Sequence, residues 1–425
     1  MSRVAAAATA VLAGVVAAGV GVVPPARPAA AATCGNPPAS AATIPELPWA
    51  QRWLQPERAW PLSGAGRGVV VAVLDSGVDS AHPQLSHGPV LPGQDLVTGS
   101  PGGDVDCAGH GTAVASLIAA SRTPGIGFAG MAPRARILPV RVTERDVDRG
   151  TDGEPPVTAA TLAAAIDWAT DHGADIINVS VTFYRDHAVI ADAVARARDR
   201  GVLIVAAVGN LHSADGPDPT PYPAAYPGVL GVGAIGSTAA LVSTSSVGPY
   251  VDLVAPGEAV TAASPRGGHQ TVTGTSFATP FVSAAAALLL AAEPELAATD
   301  VIRLLLATAD PAAGSSEGYG HGVVNPYRAL TERVVDRPPA AGEPLAQVAA
   351  DPVAQARARR WQRVEGLALL VMVAAVGSGT VALLARAARR RGRQHRWRPT
   401  RPARDVPPEP AVDEPRRVFY TVPTP

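Results

Sequence analysis

Residues 68–79 read GVVVAVLDSGVD. The first seven are only glycine, valine, alanine and leucine, with no polar alternation. A strand with one face in water alternates apolar with polar residues, so an unbroken apolar run marks a strand covered on both faces, as in parallel sheets. The run stops at Asp75, and Ser76-Gly77 gives a turn signal. Outward from this strand the pattern repeats. Strand-like runs lie at 136–142, 175–181, 202–208, 229–235 and 251–254. Helix-period segments lie among them at 111–120, 159–171 and 188–200, and a further one follows at 277–292. This alternation predicts an open α/β fold, a mostly parallel sheet with helices on both faces. No internal repeat is visible. The acidic stretch 143–156 (TERDVDRGTDGEPP) and residues 211–223 read as surface loops.

Four residues stand at the ends of these runs. Asp75 follows the first strand, and His110 sits in GHGTAVASLIAA (109–120), where a glycine-rich loop turns into a helix. Asn210 closes VLIVAAVGN (202–210), and Ser276 lies in GTSFATP (274–280) ahead of the last long helix. Singly, each has an ordinary structural reading: a turn former, a buried or capping histidine, a turn asparagine, an N-cap serine. Together they form a reaction set. A serine hydroxyl is a poor nucleophile until a base takes its proton. A histidine titrating near neutrality can take that proton and return it to a leaving amine. A carboxylate holds the imidazole tautomer and stabilises the imidazolium. Ser276 at a helix start brings its own backbone N–H to a developing oxyanion, and the Asn210 amide is a second donor.

The order Asp, His, Asn, Ser in DSGVD, GHGT, AAVGN and GTSFATP resembles the subtilisin-like serine proteases, over about 300 residues. GMAP (130–133) and GYGHGVVNP (318–326) fit the same family. The resemblance implies a three-layer α/β fold with a mostly parallel seven-stranded sheet, and peptide-bond hydrolysis through an acyl-enzyme. It implies Asp75, His110 and Ser276 as catalytic residues, with Asn210 and Ser276 forming the oxyanion hole. The run Ser180-Val181-Thr182 falls where the family binds substrate as an added strand. Subtilisins usually carry Ser-Leu-Gly-Gly there, so Thr182 is expected to narrow the first specificity pocket and make cleavage selective. The segments 51–79 and DCAGHGT (106–112), with the chain's overall layout, resemble most the mycosins of actinobacterial type VII (ESX) secretion systems.

That layout comes from two apolar segments. Arg3 precedes an uncharged stretch at 4–26 and small residues up to Ala32, the pattern of a signal peptide cleaved near Ala32. Residues 366–385 (GLALLVMVAAVGSGTVALLA) carry no charge and, as a helix, cover about 30 Å, the thickness of a bilayer core. Nine arginines follow within twenty residues and four precede within twenty, so the positive-inside rule puts the tail in the cytoplasm and the preceding domain outside. The expected order is signal peptide 1–32, N-terminal extension 33–66, protease domain 67–335, Pro/Ala-rich linker 336–365, transmembrane helix 366–386, and an Arg/Pro-rich cytosolic tail 387–425. About 40 residues between the cleavage site and Asp75 leave no room for a folding-chaperone propeptide. The mycosin resemblance implies instead a short extension wrapped around the protease domain.

Composition narrows the remaining classes. The 425-residue chain carries a formal net charge of −1, which argues against a nucleic-acid binder, and 47% hydrophobic residues, enough for a sizeable core. All 35 basic residues are arginine. Two cysteines, Cys34 and Cys107, cannot make a four-thiolate zinc site. In an exported chain they either stay as buried thiols or form one bridge. Such a bridge would tie the extension to the loop before His110 and close about 74 residues, contributing about 4 kcal/mol in the chain-entropy account. No cofactor and no zinc site is expected, and no calcium ligand is assigned. The loop carboxylates Asp104, Asp106 and Asp146 read as solvated. The expected partners are a protein or peptide substrate (a secreted type VII protein), type VII membrane-complex subunits, and the lipid bilayer. A second expectation, from another class, is a structural subunit of the secretion complex with proteolysis secondary.

Overall fold

The computed structural model describes residues 40–86, 89–144 and 157–334, with 372, 377–386 and 389 near the C-terminus. The chain divides into two units, Met1–Val335 and Asp336–Pro425. In the second, residues 377–386 are helical, with Val381, Leu383 and Leu384 exposed. The signal segment 1–32, Cys34, the linker 336–365, Asp146, residues 366–371 and 373–376 of the expected membrane helix, and all of 387–425 except 389 lie outside the described residues.

The first unit opens with helices α1 (Trp49–Leu54) and α2 (Pro56–Ser63). Then come strands β1 (Val70–Asp75), β2 (Gly93–Asp95) and β3 (Ser100–Gly102), helix α3 (His110–Ala119) and strand β4 (Arg136–Arg141). Helix α4 (Ala159–Asp171), β5 (Ile176–Val179), α5 (Ala188–Asp199), β6 (Leu203–Ala207), β7 (Val229–Ile235) and β8 (Leu253–Pro256) follow. The chain then forms the hairpin β9 (Val260–Ala263) and β10 (His269–Val272), and helices α6 (Thr275–Ala292), α7 (Ala298–Ala307), α8 (Ser316–Tyr319) and α9 (Pro326–Thr331).

Among the described residues the main sheet has eight strands, in the order β3-β2-β4-β1-β5-β6-β7-β8. This corrects the expected seven. Seven strands run parallel, and the eighth, β3, pairs antiparallel to β2 at the edge. Its three residues, Ser-Pro-Gly, carry no apolar signature, so nothing in the sequence marks them as a strand.

Both faces of the sheet are covered, as the unbroken apolar runs require. In β1, Val71 and Val73 join the core that includes α3 and α6, while Val70, Ala72 and Leu74 join the core of α4 and α5. This is the two-residue period of a strand applied to two dry faces. Helix α6 is long and apolar enough to cross a membrane, but 83% of it is buried inside the fold, so it is a core helix. Its run Ala284–Ala287 is fully buried; side chains this small let the helix lie close to the sheet.

Residues ahead of α1 are strapped onto the domain. Ala41 N–H donates to the Gly267 carbonyl (3.0 Å) and His269 N–H to the Ala42 carbonyl (3.0 Å), extending the β9–β10 hairpin. Ile44 N–H donates to His269 Nδ1 (2.9 Å). Further on, Gln51 Nε2 donates to the Ala129 carbonyl and Trp60 Nε1 to the Met131 carbonyl (2.8 Å).

Candidate active site

Parallel strands all end on one side of a sheet, and ligands in open α/β folds bind there. Asp75 is the last residue of β1, His110 the first of α3, and Ser276 the second of α6. Asn210 follows β6. Four separate elements therefore deliver the four predicted residues to one edge.

Their side chains meet. His110 Nδ1 lies 2.8 and 3.0 Å from the two carboxylate oxygens of Asp75. A carboxylate only accepts, so Nδ1 carries the hydrogen and Nε2 presents a lone pair. Nε2 stands 3.0 Å from Ser276 Oγ, in position to accept the hydroxyl proton. Asp75 and Ser276 are fully buried and His110 is 5% exposed. Asp75 Oδ1 also accepts from the Ser76 N–H (2.7 Å). Asn210 Oδ1 accepts from the Thr275 N–H (2.9 Å), which fixes the amide and makes its amino group the other end. Phe277 packs against the imidazole, with ring centroids 4.6 Å apart.

Asp106 departs from its expected place. It is buried, not solvated, and sits under the His110 loop. Its Oδ1 accepts from Ser76 Oγ (2.9 Å), Ala108 N–H (3.0 Å) and Gly109 N–H (2.8 Å). Its Oδ2 accepts from Thr112 N–H (2.8 Å) and Thr112 Oγ (2.6 Å). It thereby pairs the N–H groups of the turn that leads into α3 and one N–H, that of Thr112, in the first turn of the helix. Burial pushes its carboxyl up from the ordinary range, the Thr112 and Gly109 bonds pull against that, and the nearby Asp75 charge adds to the rise. Ser76 Oγ in turn accepts from the Gly111 N–H (3.0 Å), so the loops after β1 and before α3 are stitched together. Gly111 admits no side chain, because a Cβ there would overlap the Gly77 carbonyl oxygen. Sequence reading missed the roles of Asp106 and Ser76, although both sit inside the quoted motifs. Their spacing of four before His110 and one after Asp75 was the available signal. Asp104 is exposed, as expected.

The segment Ser180-Val181-Thr182 leaves β5 beside the end of β6. Ser180 is buried and linked to α6, through Asn178 Nδ2 (3.4 Å) and the Ser283 hydroxyl that donates to Asn178 Oδ1 (2.8 Å). Val181 is fully buried in the core of α4 and α5, so only its main chain could meet a peptide. Thr182 Oγ1 donates to the Ala207 carbonyl (3.3 Å) on the last residue of β6. Cys107, three residues before His110, is disulfide-bonded. Among the described residues no group of three or more His, Cys, Asp or Glu could hold a metal ion.

The model of the subtilase family (Peptidase_S8) matches residues 66–322. The chain belongs to the subtilase family. Curated relatives agree. A thermophilic serine proteinase of Bacillus sp. (strain AK1) is 36% identical over 273 residues, covering 64% of this chain and 64% of its own length. This subtilase therefore spans a little under two thirds of that relative. Subtilisin BL of Lederbergia lenta is 36% identical over 279 residues, 66% of this chain and 97% of its own. Solved structures resemble it over more of its length. The crystal structure of MycP1 from Mycobacterium smegmatis matches with a TM-score of 0.61 at 30% identity, over 72% of this chain and 94% of that one. MycP3 protease from the type VII (ESX-3) secretion system matches with a TM-score of 0.55 at 33% identity, over 70% of this chain and 91% of that one. The subtilase's neighbours therefore include mycosins.

Proposed function

We propose that this subtilase is a serine endopeptidase whose catalytic groups are Asp75, His110 and Ser276. The observation that carries the reading is the continuous contact from carboxylate to imidazole to hydroxyl, 2.8 Å and then 3.0 Å, buried at the carboxyl edge of a parallel sheet. Ser276 Oγ attacks the scissile carbonyl while His110 Nε2 takes its proton. Asp75 holds Nδ1–H in place and stabilises the imidazolium. The oxyanion is received by the Ser276 N–H, at the positive end of α6, and by the Asn210 amino group. His110 then protonates the leaving amine, and water resolves the acyl-enzyme by the reverse sequence. The peptide lies as an added strand along residues 180–182.

The setting is read from the mycosin likeness and from the sequence. We infer a signal peptide at 1–32, a membrane helix at 366–386 with the protease domain outside and the tail in the cytoplasm, and a Cys34–Cys107 bridge fastening the extension beside His110. The substrate is a secreted protein of a type VII system, and membrane-complex subunits of that system are partners.

The test is labelling of the full chain with a fluorophosphonate, with Ser276→Ala alongside. Labelling lost in the variant is the expected result. A folded chain that takes no label removes the proposed activity.

A further inference from the structure

We infer that the first specificity pocket is filled by the protein's own side chains, so that this protease cleaves only after residues as small as glycine, alanine or serine. The inference rests on the proposed function and narrows its substrate class. The acyl carbonyl must lie within reach of Ser276 Oγ, the Ser276 N–H and the Asn210 amide. The residue bearing that carbonyl then directs its side chain between the two neighbouring backbone segments, 180–182 leaving β5 and 207–209 leaving β6. These strands are adjacent and parallel, so the slot between their ends is bounded by main chain on both sides.

That slot is occupied. Thr182 reaches across it and donates to the Ala207 carbonyl at 3.3 Å. Its Cγ2 lies 3.3 Å from the point where a Cβ on Gly209 would stand, and Tyr184 Cζ lies 3.1 Å from the same point, with the Tyr184 hydroxyl closer still. Two side chains from the β5 exit therefore rest on the backbone at Gly209, next to Asn210. Gly209, at φ +86°, is held by that contact as well as by its left-handed conformation. The segment is anchored at its middle residue. Phe183, between Thr182 and Tyr184, exchanges both main-chain hydrogen bonds with Tyr222 (2.8 and 2.7 Å), and its side chain is buried. A methyl or hydroxymethyl group fits above such a floor. A ring or a branched chain of four carbons meets Thr182 and Tyr184, and overpacking a rigid site is unfavourable.

The experiment uses two peptidyl diphenyl phosphonates, identical except for an alanine-type or a phenylalanine-type side chain at the position next to phosphorus. Each phosphonylates an active serine: an Oγ–P bond forms, phenoxide leaves, and the hydroxyl proton passes to histidine. On the full chain, the alanine probe is expected to label Ser276 at least about 100-fold faster than the phenylalanine probe. Thr182→Gly, alone and with Tyr184→Ala, is expected to shrink that ratio to about 10-fold or less. Thr182→Ser keeps the hydroxyl and drops only the methyl, and is expected to shift the ratio in the same direction by a smaller factor. Equal rates with the two probes on the unmodified chain overturn the inference and leave the protease reading intact. A ratio unchanged in all three variants also overturns it. No labelling by either probe, or by a fluorophosphonate, removes both readings together.

Discussion

Replacing Asp106 by alanine tests how the His110 loop is held. The carboxylate accepts five hydrogen bonds, three from main-chain N–H groups and two from hydroxyls. The hydroxyls of Ser76 and Thr112 can turn to other acceptors. The N–H groups of Gly109 and Thr112 cannot, since both residues are buried. Each buried donor left without a partner costs about 1–3 kcal/mol, so the pair costs about 2–6 kcal/mol. The variant also escapes the burial that pushes the Asp106 carboxyl up, which offsets part of this loss. A net destabilisation of about 3 kcal/mol follows, near the upper end for a single substitution. At roughly 2 °C per kcal/mol for a domain of this size, Tm falls by about 6 °C. The assay is thermal unfolding by circular dichroism with Ser276→Ala also present, so that self-digestion does not distort the transition. Asp106→Asn retains an acceptor oxygen and is expected to lose about half as much. A Tm for Asp106→Ala within about 1 °C of its parent would show that the five contacts carry no net stability.

Three further outcomes are expected. Asn210→Ala should lower kcat by about 10²–10³ with KM little changed, a magnitude set by an asparagine donor in subtilisin and not worked out from this chain; a kcat within threefold of the parent, measured with a peptide substrate, would argue that Asn210 only positions Thr275. Asp95→Asn should destabilise by about 3–5 kcal/mol in denaturant titrations, because Arg141 is nearly fully buried and its NH1 pairs with Asp95 Oδ2 at 2.7 Å; a midpoint like the parent's would mean that Glu144, which also reaches Arg141, suffices. Burial, with the neighbouring His82 adding to it, lowers the His269 pKa from its ordinary 6.5 to about 4. Below the ordinary value the unfolded chain takes up a proton that the folded chain refuses, so stability should fall from about pH 6.5 to about pH 4, by up to about 3 kcal/mol, and then level off. His269→Gln should flatten that part of the profile, and parallel profiles would show that another group is responsible.

How far the sequence disclosed this molecule depended on the kind of signal. Strands buried on both faces have an apolar alphabet of their own, and β7 and α4 fall on the expected residues. The edge pair β2–β3 and the hairpin β9–β10 were not legible, because they are short, mixed in polarity and stabilised by their neighbours. That Asp75, His110, Asn210 and Ser276 share one edge of the sheet was legible, because the proposed chemistry needs those residue types beside glycines at strand and helix ends. The role of Asp106 was not, because a carboxylate in a loop looks the same whether water or five protein donors surround it. Thr182 was legible as a departure from the expected glycine, but its partner Tyr184 was not, since only the folded chain lays a ring two residues onward against Gly209.

The separation of the proposed reacting groups along the chain has a consequence in time. Asp75 and Ser276 stand 201 positions apart, and Asn210 lies between them. A ribosome makes the carboxylate and imidazole first, and the hydroxyl arrives only with α6, after every strand of the main sheet has been synthesised. Contacts between groups so distant in sequence form late, after the loop-closure entropy of the intervening chain has been overcome. A partly made or partly folded molecule therefore holds Asp75 and His110 without the hydroxyl they are proposed to activate. On the proposed mechanism, the site is complete only once the helix that carries Ser276 has docked into the core.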